Sequence, residues 1–132
     1  MLNFLVALLV SSAGAANCLS YEPGVVTLEG KLVTRAQESS STAGLPRDKV
    51  EYERGFVLVL SRPVCVTASP EGEIQWEFQS RVTEIQLAPG KHWERTKSLV
   101  GQRVLAEGTL FGAHTGHHMT PVLLEVRAIR PR

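Results

Sequence analysis

Three of the four histidines in the chain lie within five residues, at His114, His117 and His118. Imidazole is a common protein ligand for zinc and copper, and a loop can bring together rings that a straight strand would separate. The surrounding segment, 112–121, contains no cysteine or acidic residue to complete a ligand set. The His-x-x-His-His spacing is also less specific than paired Cys-x-x-Cys hooks. Three roles stay open: a zinc or copper site, contact with a ligand or partner, and a structural role.

The structural role and the binding role involve the same polar side chains. In the structural role, the histidines act with Thr115 and Thr120, bonding the backbone and holding Gly112 and Gly116 in a fixed loop shape. In the binding role, these side chains contact the ligand. The candidate binding residues are His114, Thr115, His117, His118 and Thr120.

Motifs of common enzyme classes are absent from the sequence. A phosphodiesterase of the paired His-x-Thr type needs two such motifs, and only the one at 118–120 is present. Neither a Gly-x-Ser-x-Gly elbow nor a glycine-rich phosphate loop ending in Lys-Ser/Thr occurs. A glycosidase would need two well-placed carboxylates, whereas the glutamates here fit solvated positions. These glutamates are Glu84, Glu94, Glu107 and Glu125. We therefore expect a non-enzymatic protein with no catalytic residue.

The pattern of apolar residues predicts five strands and one helix. The predicted strands span 25–33, 55–60 continuing at 64–66 after a bend, 76–87, 104–111 and 122–129, and the predicted helix spans 91–100. Segment 35–48 has no periodicity and collects serine, threonine, glycine and proline, which predicts a long mobile loop.

The predicted element order, β-β-β-α-β-β, is typical of the OB-fold, a five-stranded Greek-key barrel with its helix between strands three and four. Gly30 and Gly108 lie in the middle of two predicted strands, where glycine permits the tight coiling that a small barrel needs. The sequence therefore predicts a mainly β, OB-like domain, with an open β-sandwich as the alternative.

The amino-terminal segment is typical of an export signal. Residues 1–16 contain no ionisable side chain, and twelve of the sixteen are Met, Leu, Phe, Val or Ala. The apolar run is too short to span a bilayer but fits a signal peptide, with cleavage after Ala16 or, alternatively, Ala15. We expect a single domain at 17–132, located in the periplasm or secreted, with no membrane span after signal removal.

Export determines how the two cysteines are interpreted. Thiols oxidise in such compartments, so a disulfide between Cys18 and Cys65 is expected. Lipidation of Cys18 is an alternative, although Asn17 precedes it where a small residue is usual. Metal binding is another, although neither cysteine has a second one nearby.

The charge balance bears on the choice of partner. The 132 residues carry 14 Lys+Arg against 13 Asp+Glu, a formal charge of +1. A nearly neutral chain lacks the basic face that displaces counterions from nucleic acid, so we expect no nucleic-acid partner. Basic residues gather around the predicted helix and at the C-terminus, as a solvated face or an anion-binding patch. They are Lys91, Arg95, Lys97, Arg103, Arg127, Arg130 and Arg132.

Three aromatic residues are candidates for a stacking platform that binds sugars or bases, as in many OB-folds. They are Trp76, Phe78 and Trp93, and for Trp93 we expect packing in the core instead.

The string GTLFGAHTGHHMTPVLL at 108–124 resembles the hallmark of a family of small exported bacterial proteins catalogued as a domain of unknown function. Weaker similarity at 18–23, 25–32 and 62–66 extends the resemblance over most of the mature chain. The chain departs from the family pattern at 37–54 and at Met119, where a third consecutive histidine is common. The resemblance implies bacterial origin, export and a shared loop, and it implies no reaction.

The leading expectation is an exported binding module without a cofactor, whose ligand or protein partner is unknown. Its contact surface would be loop 112–121 with the adjoining barrel face, an assignment that rests on analogy with OB-folds. One alternative is a protein that binds zinc or copper through His114, His117 and His118. Another is a periplasmic inhibitor or immunity protein against a cell-wall or secreted enzyme.

Overall fold

A computed structural model describes residues 18–69 and 76–132, and the predicted signal peptide at 1–16 lies outside these ranges. The fold is mainly β with one short helix, as predicted. The strands are β1 (Leu19–Ser20), β2 (Val25–Glu38), β3 (Tyr52–Thr67), β4 (Gln79–Ala88), β5 (Arg103–Gly112) and β6 (Val122–Pro131), and the helix is α1 (Trp93–Ser98). Short 3-10 turns occur at Arg47–Lys49 and Gly90–His92.

The strands form one sheet with ring-like hydrogen bonding. Its order is β1-β3-β2-β5-β6-β4, and a further pairing joins β3 to β4. The β1–β3 and β4–β6 pairs are parallel, and the other pairs are antiparallel. This pairing agrees with the predicted succession of strands, and it also fits the open β-sandwich alternative. Strand β1 is too short to produce an alternation that the sequence would reveal.

The core consists of side chains from the long strands, which alternate along β2 and form runs of three consecutive buried residues in β3, β4 and β6. Their burial provides the main favourable term in folding. Leu28 and Leu32 of β2 lie inside, and the buried Ala106 and Leu110 of β5 belong to the same cluster. The largest fully buried apolar side chains are Leu32, Leu58, Ile85, Leu110, Leu123, Leu124, Val57, Val66, Val104 and Val122.

The two mid-strand glycines lie where neighbouring backbone comes very close. A Cβ atom on Gly30 would lie 2.3 Å from the carbonyl oxygen of Val59, and one on Gly108 would lie 1.9 Å from that of Glu125. Both distances are far inside van der Waals contact, so a side chain at either position requires the neighbouring strand to move. These close approaches support the expectation that glycine permits tight coiling here.

The hairpin between β2 and β3 is longer than predicted. Strand β2 continues to Glu38, and its pairing with β3 runs from Gly30↔Leu60 to Glu38↔Tyr52. The predicted loop therefore begins after Glu38 and not at Arg35. Since this end of β2 is largely exposed, its sequence lacks the apolar alternation that identifies a half-buried strand. The predicted bend in β3 is confirmed by register shifts between Val59 and Val66.

The predicted disulfide between Cys18 and Cys65 is present, and the described residues contain no free cysteine. It lies next to the short β1–β3 pairing, where Leu19 is paired with Val66. The following Tyr21 is buried and donates a hydrogen bond of 2.8 Å to the carbonyl oxygen of Glu77. Residues 18–21 are thus fixed to the sheet by covalent and noncovalent contacts.

Within residues 18–69 and 76–132, no helix combines the length and apolar character needed to cross a membrane.

Candidate functional site

The histidine loop, 112–121, connects β5 to β6 and is closed at its base. The amide of Ala113 donates a 3.0 Å hydrogen bond to the carbonyl oxygen of Pro121. Trp76 covers this base so closely that a Cβ on Gly112 would lie 2.3 Å from its ring. A larger residue than glycine therefore does not fit at the start of the loop.

His118 acts as an internal acceptor for the loop backbone. Its Nδ1 accepts hydrogen bonds from the amides of His114 and Thr115, at 2.9 and 3.3 Å. An imidazole nitrogen accepts only when it carries no proton, so this geometry requires the neutral ring with its proton on Nε2. The Nδ1 of His114 lies 3.0 Å from the carbonyl oxygen of Gly112 and donates to it in the matching tautomer. Both contacts support the structural role.

His114 and His118 also belong to a row of rings that runs from the core to the surface. Their ring centroids are 4.8 Å apart, and they lie 5.9 and 5.7 Å from that of Phe111. Phe111 lies 6.5 Å from Trp76, whose ring is 5.3 Å from the buried Tyr21. These separations suit favourable ring contacts, so the loop rests on the aromatic part of the core.

His117 is directed elsewhere, toward the β2–β3 hairpin. Its Nδ1 lies 2.8 Å from Oε2 of Glu53. Gln37 donates to Oε1 of Glu53 at 2.9 Å and to the carbonyl oxygen of Gly116 at 3.1 Å. The hydrogen bond from Gln37, followed by that from His117, lowers the pKa of the Glu53 carboxyl. The Glu53 carboxylate and the side-chain amide of Gln37 thus fix the tip of the loop to the hairpin.

The three clustered histidines are therefore divided between two places. His114 and His118 pack together on Phe111, whereas His117 lies on Glu53. In the part of the chain that the structure describes, no three His, Cys, Asp or Glu side chains are grouped so that they could hold a metal ion. For a zinc or copper site, the loop therefore offers two neighbouring imidazole rings, those of His114 and His118. The third ring, that of His117, lies apart from them.

Strand β4 holds the second half of the loop through Gln86 and Thr120. The buried Thr120 hydroxyl accepts from the amide of Gln86 at 2.9 Å and donates to the carbonyl oxygen of Val122 at 2.6 Å. The Gln86 side chain accepts from the amide of Met119 at 2.5 Å and donates to the carbonyl oxygen of His117 at 3.4 Å. Thr120, a candidate binding residue from the sequence, thus joins β4 to the end of the loop through these bonds.

An open cavity of about 230 Å³ lies where the end of the loop meets β4. Its lining residues are Gln79, Arg81, Val82, Thr83, Glu84, Met119, Thr120 and Pro121. Strand β4 pairs with β6 only at Gln86–Ala88, so in the described structure the earlier part of this edge has no strand partner. Successive amides of a strand alternate in direction, and the amide of Gln86 points toward Thr120. The amide of Glu84 therefore faces the same edge.

The Glu84 side chain beside this cavity is paired with Arg35. The second guanidinium nitrogen of Arg35 donates to Oε2 of Glu84 at 3.1 Å, and the first forms a shorter contact with Oε1. The hydrogen bonds from Arg35 lower the pKa of the Glu84 carboxyl. The described residues give Arg81, the other charged residue of the cavity, no ion pair. Among the described residues, the cavity thus has one positive charge, that of Arg81, without an ion pair.

The predicted aromatic platform is not formed as one surface. Trp93 is 48% exposed and packs its edge on Phe56, with ring centroids 4.8 Å apart, so the expectation of a core position is wrong. The reason is that Thr96 of the short α1 and Leu99, the residue that follows it, occupy the buried side, which leaves Trp93 at the edge of that side. Trp76 contacts Tyr21 and Phe111 instead, and Phe78 is exposed.

The geometry of His118 predicts that the folded protein loses stability in mild acid. Burial, followed by the charges of His114 and His117, lowers the pKa of His118 below the ordinary histidine value of about 6.5. The unfolded chain then binds more protons in this range, so the free energy of unfolding falls as the pH drops through about 6.5 toward the lower pKa of the folded state. Chemical denaturation at several pH values between about 8 and 5 measures this fall.

Two substitutions identify the residue responsible for the pH effect. We expect His118→Gln to reduce the difference in the free energy of unfolding between neutral and mildly acidic pH. His92→Gln alters a histidine outside the loop and should preserve that difference. Equal pH dependence in the wild type and His118→Gln would show that His118 is not the responsible group.

Comparison with known proteins bears on the part of the chain that contains the loop. No curated protein matches the chain. The matching segment begins at Glu84 in β4, so it includes Gln86, α1, β5 and the histidine loop. Residues 84–130 match the family model described as Domain of unknown function (DUF4431), which confirms the expected resemblance to a family of that kind.

Proposed function

We propose that this protein is an exported, non-enzymatic binding module that takes an extended segment of a partner protein along the β4 edge that has no strand partner among the described residues. The observation that supports this best is the cavity of about 230 Å³ between that edge and residues 119–121 of the histidine loop. The proposal keeps the end of the predicted loop, residues 119–121, replaces the adjoining barrel face by the edge of β4, and adds the class of partner.

An unpaired strand edge offers a row of backbone donors and acceptors that an added strand can satisfy. On β4 this edge precedes Gln86, where the pairing with β6 begins. The cavity beside it takes one side chain of the bound segment, against the apolar surface of Met119 and Pro121. Arg81 at the same cavity favours an acidic residue in that segment, because no carboxylate of the described residues is paired with Arg81.

The hydrogen bonds of the loop favour binding because they fix the surface in advance. Gln86 fixes residues 117–119 to β4, and Gln37 with Glu53 fixes the loop tip to the β2–β3 hairpin. A surface that is already ordered loses less conformational entropy when a partner binds. The side chain of His117, on the hairpin side of the loop, stays 67% exposed.

Export is part of the proposal and is supported by the disulfide between Cys18 and Cys65. Disulfides persist in oxidising compartments, and the predicted signal peptide at 1–16 accounts for transfer to one. The inhibitor or immunity alternative would be one form of the same binding, with a cell-wall or secreted enzyme as the partner.

A displayed library of random peptides tests the proposal even though the partner is unidentified. The oxidised protein is used to select peptides, and their Kd values are then measured for the wild type, Arg81→Glu and Arg62→Glu. We expect selected peptides to bind Arg81→Glu at least about tenfold more weakly, a difference of about 1.4 kcal/mol, because the substitution reverses the charge at the cavity. Arg62→Glu makes the same change at an exposed position of β3 and should retain wild-type affinity.

Two results would contradict the proposed function. One is the failure of the library to yield any peptide that binds the folded protein saturably. The other is equal affinity of the selected peptides for the wild type and Arg81→Glu, since that would place the contact away from the β4 edge.

A further inference from the structure

A larger open cavity, of about 440 Å³, lies at the other end of the β4–β6 pairing. The two strands run side by side as far as Ala88↔Glu125. The chain then leaves β4 for the 3-10 turn at Gly90–His92, while β6 continues to Pro131. This divergence opens a notch whose lining residues are Ala88, Pro89, Gly90, Lys91, His92, Glu125, Val126 and Arg127.

The notch has an apolar floor and a positively charged rim. Pro89 and Val126 are buried, whereas Lys91 and Arg127 are exposed. The sequence places these two cations in separate basic groups, and the fold brings them to one cavity. No ion pair within the described residues neutralises either of them. With Glu125 as the one carboxylate of the lining, the rim carries a net charge of +1 when His92 is neutral.

We propose that this cavity binds a small organic monoanion, a carboxylate attached to an apolar body. The guanidinium of Arg127 matches the two oxygens of a carboxylate, and the Lys91 ammonium adds a second positive charge. The apolar body lies on Pro89 and Val126. A cavity of about 440 Å³ falls within the usual range for small-molecule sites, and the net rim charge of +1 suits a single negative charge. The site shares no residue with the β4-edge cavity.

Benzoate is a probe with both parts of the proposed ligand, and benzamide is its uncharged counterpart. Titration of ¹⁵N-labelled protein with benzoate should produce saturable shifts of amide signals at 88, 90–92 and 125–127. Benzamide should bind at least about tenfold more weakly, because it retains the apolar body and loses the charge. Inorganic phosphate, an anion without an apolar body, should also bind more weakly than benzoate.

Matched substitutions locate the contact. Lys91→Gln and Arg127→Gln should each weaken benzoate binding about tenfold, as expected for a lost charged hydrogen bond. Arg130→Gln removes the same charge from β6 outside the cavity and should leave the Kd unchanged. All three side chains are exposed, so the variants should keep the thermal midpoint of the wild type, which circular dichroism checks.

The proposal is overturned if benzoate gives no saturable shifts, or if benzamide or phosphate binds as tightly as benzoate. Equal weakening by Arg130→Gln and Arg127→Gln would also overturn it, because the effect would then reflect the general charge of the protein. Peptide binding at the β4 edge does not enter these measurements, so the two proposals can fail independently.

Discussion

Replacement of both Cys18 and Cys65 by serine is expected to lower the free energy of unfolding by about 4 kcal/mol. The disulfide joins residues that are 47 positions apart, and a closed loop of that length removes much of the conformational freedom of the unfolded chain. The bond also holds β1, which pairs with β3 through only two residue pairs, Leu19↔Val66 and Ser20↔Thr67. Urea denaturation of the wild type and the double variant measures the difference.

Two controls accompany the disulfide prediction. The wild type in excess reductant should unfold at the same urea concentration as the double variant, and reductant should not change the double variant itself. Ser20→Ala, a substitution at an exposed position of β1, should stay within about 0.5 kcal/mol of the wild type. Equal urea midpoints for the oxidised and reduced wild type would show that the bond does not stabilise the fold.

Gly108→Ala is expected to destabilise the protein by about 3 kcal/mol or more, at or above the upper end of the usual cost of overpacking. The added Cβ would lie 1.9 Å from the carbonyl oxygen of Glu125, which is backbone on β6 and cannot rotate away. The register of β5 against β6 shifts between Glu107 and Gly108, so an alanine would force the strands apart where their pairing is already irregular. Thermal and urea denaturation measure the loss.

Other glycines provide the comparison for Gly108. Gly30→Ala should also be strongly destabilising, since its Cβ would lie 2.3 Å from the carbonyl oxygen of Val59. At Gly24 the nearest atoms to an added Cβ are 3.8 Å away, so Gly24→Ala should be close to neutral. If Gly108→Ala yields no folded protein, Gly30→Ala provides the measurement. Stability of both variants equal to that of Gly24→Ala would contradict the close approach of the strands.

Much of the fold could be predicted because half-buried strands leave an alternating pattern in the sequence. The prediction of 104–111 corresponds to β5 at Arg103–Gly112, and that of 122–129 to β6 at Val122–Pro131. The alternating pattern does not identify a strand whose two faces are both exposed. The end of β2 is exposed, and its polar residues pair with β3 without an apolar face to reveal the strand.

The candidate site was located by the histidines, but its supporting contacts could not be predicted. His117 and Glu53 are 64 residues apart, and Gln86 and Met119 are 33 apart, so only the folded sheet brings each pair together. Along β4, Gln86 reads like any polar residue of an alternating strand. Nothing in the sequence shows that Gln86 bonds the loop whereas Glu84, two residues earlier on the same face, pairs with Arg35.

Hydrogen exchange at the amide of Glu84 tests the proposed peptide site most directly. This amide faces the edge of β4 that has no strand partner in the described part of the chain, so a bound strand should give it a new hydrogen-bond acceptor. With a saturating peptide selected on the wild type, we predict that exchange at Glu84 slows at least about tenfold, as expected for a protecting bond of about 1.4 kcal/mol. Unchanged exchange at Glu84, with protection confined to other strands, would contradict the proposal that partners bind along this edge.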